Sequence, residues 1–250
     1  MQMLSLESMF GANTESPCVK MVYGVSGSGK TVFLCESLRK AARSKSFDGN
    51  HRFIIFDVKN EGYETLAPPV ETADEAIERI SQDRVVVIHP SISLAPIYLD
   101  RIIEHLFDLS NANPKFTATL LIEECSTYIG SSAGSIPNSI KRFATQGRSK
   151  GLSLILVNQR ALTNKWTDTQ SQGITLFRLA KPDSAMLNLR WGLDSDSINE
   201  KLKEKKFSFA HYDLEELELS YYDPIEIPEL RVPIVVKKKS KFTRMFRWPF

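Results

Sequence analysis

Short apolar runs rich in β-branched and aromatic residues recur along this chain at 19–23, 52–57, 84–89, 117–123, 152–158 and 174–179. Most are apolar at nearly every position, as expected for strands buried on both faces rather than half-exposed ones. Between them lie stretches with helical spacing of apolar residues, at 30–43, 73–81, 95–110 and 139–145. This strand–helix alternation predicts an α/β fold with a mainly parallel sheet flanked by helices. Beyond residue 183 the character changes. Polar helical stretches at 184–191 and 195–205 precede two alternating runs, 207–213 and 218–222, that predict a small peripheral hairpin. Pro224, Pro228 and Pro233 then mark an extended segment. The expected organisation is an N-terminal extension (1–17), an α/β core (18–183), a peripheral subdomain (184–236) and a tail (237–250).

The chemistry is concentrated at the ends of the predicted strands. Gly24, Val25, Ser26, Gly27, Ser28, Gly29, Lys30 and Thr31 fit G-x-x-x-x-G-K-[ST], with a strand before and a helix after. The glycines allow the backbone to turn tightly and aim N–H groups inward, and the helix N-terminus adds partial positive charge. ATP with Mg²⁺ is the expected ligand: Lys30 reaches the β- and γ-phosphates, and the Thr31 hydroxyl holds the metal. The run at 119–122 ends in Glu123 and Glu124, which a parallel strand delivers to the same sheet edge as the glycine-rich loop. Glu123 is expected to face Mg²⁺ and Glu124 to polarise the attacking water. The usual pair is Asp-Glu, so Glu123 is a departure, one methylene longer. A rival second half-site is Asp57, a single carboxylate at the tip of 54–56. The next strand ends in Asn158, Gln159 and Arg160, where a neutral amide, Gln159, can sense the γ-phosphate. Upstream, Arg148 and, second, Arg142 are candidates for an arginine supplied by a neighbouring subunit.

Composition bounds this reading. The 250 residues carry 42% hydrophobic and 25% charged side chains, ordinary for a soluble globular chain. No apolar run approaches the roughly 18 residues of a membrane span, and residues 1–10 lack the features of a signal peptide. The three cysteines, Cys18, Cys35 and Cys125, read as reduced thiols of an intracellular protein. Net charge is only +2, yet six of the 32 basic residues fall between Lys237 and Phe250, where no acidic residue occurs. The rest of the chain is therefore mildly acidic, and any nucleic-acid contact must be local.

Taken in order, GVSGSGKT, FIIFDVKNEGY, TLLIEE and RSKGLSLILVNQR resemble the FtsK–HerA superfamily of DNA-pumping P-loop ATPases over residues 20–179. In the second segment the matching residues are Asp57, Glu61 and Tyr63; the fourth resembles the segment carrying the sensor glutamine. The compact size is similar to the genome-packaging ATPases of double-jelly-roll viruses, tectivirus-like phages and virophages among them. The resemblance implies a RecA/ASCE-like P-loop NTPase and a homo-oligomeric ring of five or six subunits. It also implies double-stranded DNA as substrate, threaded into a preformed capsid in a virion or host cell. The small and polar loop at 130–136, followed by Lys141 and Arg142, suits phosphate contacts in a pore. In the tail, basic residues interleave with Phe242, Phe246, Trp248 and Phe250, a pattern that suits a capsid vertex or internal viral membrane, or DNA. The residues leave other readings open: a kinase of a nucleotide or small metabolite, a protein translocase sharing this motor core, and an assembly factor that binds ATP without hydrolysing it.

Overall fold

A computed structural model describes residues 9, 18–45, 47, 49–130, 135–161 and 165–225. The N-terminal extension apart from Met9, most of the loop at 130–136 and the basic-aromatic tail lie outside the described residues.

The expected alternation is present. Strand β1 (Val19–Tyr23) leads into helix α1 (Lys30–Arg43), followed by β2 (His51–Phe56), α2 (Ala73–Gln82), β3 (Val85–Ile88) and α3 (Ala95–Ala112). Then come β4 (Thr117–Ile122), α4 (Asn138–Gln146), β5 (Leu152–Asn158), α5 (Lys165–Gln170) and β6 (Gly173–Leu176). Helices α6 (Lys181–Trp191) and α7 (Ser195–Glu204) precede β7 (Phe209–Asp213) and β8 (Glu218–Tyr222). All eight strands form one sheet in the order β3-β2-β4-β5-β1-β6-β7-β8. The pairs from β3 to β6 are parallel, and β7 and β8 are antiparallel. The predicted hairpin forms and extends the main sheet: Leu176 of β6 pairs with Ala210 of β7.

The apolar strands are apolar because both faces are covered. β1, β4 and β5 are buried at every position, whereas the edge strand β8 is half-exposed. Period-two alternation divides their side chains between two cores. On one face Met21, Ile54, Leu120 and Leu154 pack with Leu99, Ile103 and Leu106 of α3 and with Ile140 and Phe143 of α4. On the other, Val22, Ile55, Leu121 and Ile155 pack under α1 through Phe33, Leu34 and Leu38. α1 is joined there by an aromatic group from the C-terminal half. Phe33 meets Phe177 and Phe209 at ring-centroid distances of 5.6 and 4.6 Å, and Phe209 stacks on Tyr222 at 5.0 Å. The helix that starts at the glycine-rich loop is therefore wedged against β7. Among the described residues no helix is long and apolar enough to cross a membrane. Cys35 and Cys125 are buried free thiols, and burial pushes Cys35 up to about 12.

Phe209 is only 4% exposed and touches three other aromatic rings. Phe209→Ala should cost about 3–5 kcal/mol of stability, read as a lower urea midpoint at unchanged slope.

Candidate active site

The carboxyl ends of the parallel strands meet where β1 runs between β5 and β6 and the glycine-rich loop leaves β1. Two contacts tie that loop to β6: Phe177 N–H donates to Tyr23 O at 2.8 Å, and Val25 N–H donates to Arg178 O at 2.9 Å. The tie leaves no room at Gly24, where a Cβ would stand 2.6 Å from Phe177 Cβ. Gly29 caps α1 in the left-handed region with φ 101°. The first turn of α1 holds no acidic residue and its N-cap supplies no side-chain bond, so its N–H groups remain available to an anion. Lys30 folds back over the loop, donating to Gly24 O at 2.7 Å and Val25 O at 3.3 Å. Burial pulls its ammonium below the usual lysine range, and nearby Glu123, Glu61 and Glu124 oppose that shift.

A cavity of ≈ 290 Å³ opens over this loop. The structure brings Lys30, Thr31, Glu123, Glu124 and Gln159 together in its wall, as the sequence reading required. Each carboxylate has a separate environment. Glu123 is 5% exposed and accepts a short hydrogen bond from the Tyr63 hydroxyl. Burial pushes its carboxyl up to about 7; Asp57 and Glu61 push the same way, while the Tyr63 hydroxyl and Lys30 oppose. Glu124 occupies the left-handed region at φ 46°, uncommon for a non-glycine residue. It pairs with Lys59 Nζ at 2.6 Å and lies 3.1 Å from the Ser126 hydroxyl.

The rival carboxylate Asp57 does not line the cavity. Fully buried, it accepts from the Lys59 and Glu61 backbone N–H groups at 3.0 and 2.7 Å, with His89 Nε2 3.5 Å away. Asp57 thus shapes the turn after β2 that presents Lys59, Glu61 and Tyr63. Glu61 enters the cavity wall, its Oε2 3.5 Å from Thr31 Oγ1. The sequence reading quoted Glu61 and Tyr63 as parts of a motif and gave them no role; Lys59 carried no signal of its own. Phe207, also in the cavity wall, was read only as the start of a strand.

The two arginines lie elsewhere. Arg148 precedes β5 at the opposite edge of the sheet, roughly 20 Å of strand away from the cavity of its own chain. Arg142 pairs with Glu104 at 2.6 Å, and its guanidinium lies 4.1 Å from the Phe107 ring centroid. Mg²⁺ suits the donor set in the cavity: it takes a few hard oxygen ligands alongside nucleotide phosphates, and Thr31, Glu61 and Glu123 offer them.

This arrangement defines a P-loop NTPase fold whose glycine-rich loop opens at the carboxyl edge of the sheet. No protein-family model matches the sequence, and no curated protein matches it. Among solved structures, the fold is similar to the genome packaging NTPase B204 of Sulfolobus turreted icosahedral virus 2 in complex with AMPPCP. That match has a TM-score of 0.64 at 18% identity and covers 84% of this chain and 98% of that one. B204 of Sulfolobus turreted icosahedral virus, described as a DNA-packaging ATPase, matches at TM-score 0.66 and 17% identity, covering 86% of this chain and 100% of that one. The cytoplasmic domain of the Type VII secretion ATPase EccC from Thermomonospora curvata gives 0.54 at 17% identity, covering 84% of this chain and 25% of that one. At 17–18% identity, what the chain shares with these ATPases is the fold.

Because burial raises the pKa of Glu123 from the ordinary 4.5 to about 7, folding takes up a proton between those two pH values. Nucleotide-free protein should therefore lose stability as pH rises from about 4.5 to about 7, by on the order of 3 kcal/mol at full titration. Thermal unfolding across that range should show the slope, and Glu123→Gln should flatten it. Tyr63→Phe, which removes the hydrogen bond favouring the carboxylate, should move the upper limit to higher pH.

Proposed function

We propose that this chain is an ATP-hydrolysing motor that translocates double-stranded DNA, packaging a viral genome into a preformed capsid as part of a ring of five or six copies. The observation that carries the reading is the convergence of Lys30, Thr31, Glu123, Glu124 and Gln159 in one cavity. It occurs on a fold shared with nearly the whole length of a DNA-packaging ATPase.

The chain's own groups divide the work. Lys30 leaves the loop carbonyls to bind the β- and γ-phosphates, and the N–H groups of residues 27–31 surround them. Thr31 and Glu123, with Glu61 beside them, would hold Mg²⁺, which would neutralise charge on the phosphates. Glu124, freed from Lys59, accepts a proton from the attacking water. Gln159, one strand over, reports the γ-phosphate through its amide. Arg148 serves a neighbouring copy, because its distance from its own cavity bars it from acting in cis. The loop at 130–136 and Lys141 are the proposed DNA contacts. The tail from Lys237 to Phe250 is the proposed dock to a capsid vertex or internal membrane.

ATP hydrolysis by the purified chain, measured with and without long double-stranded DNA at two salt concentrations, tests the reading. DNA should stimulate turnover, and the stimulation should fall as salt rises. Lys30→Ala should abolish hydrolysis, and Glu124→Gln should lower kcat by about 10²–10⁴-fold while ATP still binds. Turnover indifferent to DNA would overturn the DNA assignment and favour a kinase or a protein translocase. Arg148→Ala should lower kcat without weakening ATP binding, and added chains that are Glu124→Gln but intact at Arg148 should partly restore activity. Failure of that mixing experiment would remove Arg148 from the mechanism.

A further inference from the structure

Phe207 is a bulky aromatic residue, 43% exposed, with its backbone in the left-handed region at φ 68°. Large side chains rarely adopt that conformation unless the surroundings impose it. Here the turn between α7 and β7 imposes it. Ser208 Oγ lies 3.2 Å from Leu202 O and 2.8 Å from Lys205 O, and Ser208 N–H donates to Lys205 O at 3.2 Å. The result holds the Phe207 ring against the glycine-rich loop, where a Cβ on Gly29 would stand 3.0 Å from Phe207 Cδ1.

Its place in the sheet gives the ring a purpose. The loop leaves β1, and the two carboxylates and Gln159 come from β4 and β5 on one side of it. Phe207 comes from the start of β7, on the opposite side, and at the same edge because β7 runs antiparallel to β6. A nucleotide whose terminal phosphate points toward Glu124 therefore extends its other end toward β7. Two exposed apolar side chains line the cavity, Val32 at 46% and Phe207. The ring also divides the cavity from a neighbouring hollow lined by Lys203 and Lys206. The Lys206 ammonium stands 4.7 Å from the ring centroid, and the ring, 43% exposed in the cavity wall, is accessible to a planar group.

We infer that Phe207 is the base-binding platform of the site, stacking the purine of the bound nucleotide. The inference rests on the nucleotide reading of the cavity and adds to it the residue that holds the end of the ligand remote from the phosphates.

Affinities for two probes, the non-hydrolysable analogue AMPPCP and inorganic tripolyphosphate, each with Mg²⁺, separate the possibilities. Phe207→Gly removes the ring and suits the left-handed backbone, so it should fold; Phe207→Trp keeps a stacking surface. Phe207→Gly should bind AMPPCP roughly ten- to hundredfold more weakly and tripolyphosphate as wild type does. Phe207→Trp should restore AMPPCP binding. Equal loss for both probes would make Phe207 a support of the glycine-rich loop and overturn the inference, as would unchanged AMPPCP affinity. Wild-type protein that binds neither probe would instead overturn the nucleotide reading itself.

Discussion

Four acidic side chains, Asp57, Glu61, Glu123 and Glu124, crowd the carboxyl edge of this sheet against two lysines, Lys30 and Lys59. Like charges in a partly buried space are costly unless each is neutralised or hydrogen-bonded. Three of the four meet that cost differently. Asp57 accepts two backbone N–H groups, Glu123 accepts from the Tyr63 hydroxyl while burial raises its pKa to about 7, and Glu124 pairs with Lys59. Lys30 is bound to loop carbonyls, in a position to exchange them for phosphate. A site with surplus negative charge and a folded-back lysine favours a ligand that brings its own cation, as a nucleotide with Mg²⁺ does.

The same edge is mechanically continuous with the C-terminal strands. α1 begins at the glycine-rich loop, and Phe33 within it is held by Phe177 from the segment after β6 and by Phe209 of β7. β7 is thus joined to the helix that begins at the glycine-rich loop by close-packed rings rather than by a flexible linker. The C-terminal strands extend the same sheet and pack in the same core, although their polar, alternating sequence reads as an appendage.

The glycine-rich loop was fully legible because its chemistry is local: eight consecutive residues contain the turn, the helix N-terminus, the lysine and the hydroxyl. Glu123, Glu124 and Gln159 were legible at one remove, since parallel strands following a common pattern end at a common edge. Asp57 illustrates the limit. It also ends an apolar strand, and only the hydrogen bonds that bury it show that it shapes a turn rather than facing the cavity. Arg148 and Arg142 show the same limit for basic residues, whose positions depend on which end of a strand or which helix they adjoin.

By itself, then, the sequence determined the α/β class, the phosphate loop and the acidic strand tip, because periodicity and short motifs act over a few residues. Tertiary structure alone decided that β2 lies beside β4, that Tyr63 reaches Glu123, and that Phe207 stands against Gly29. These contacts join residues 60 to 178 positions apart, and their geometry follows from strand order and core packing, which no local pattern encodes.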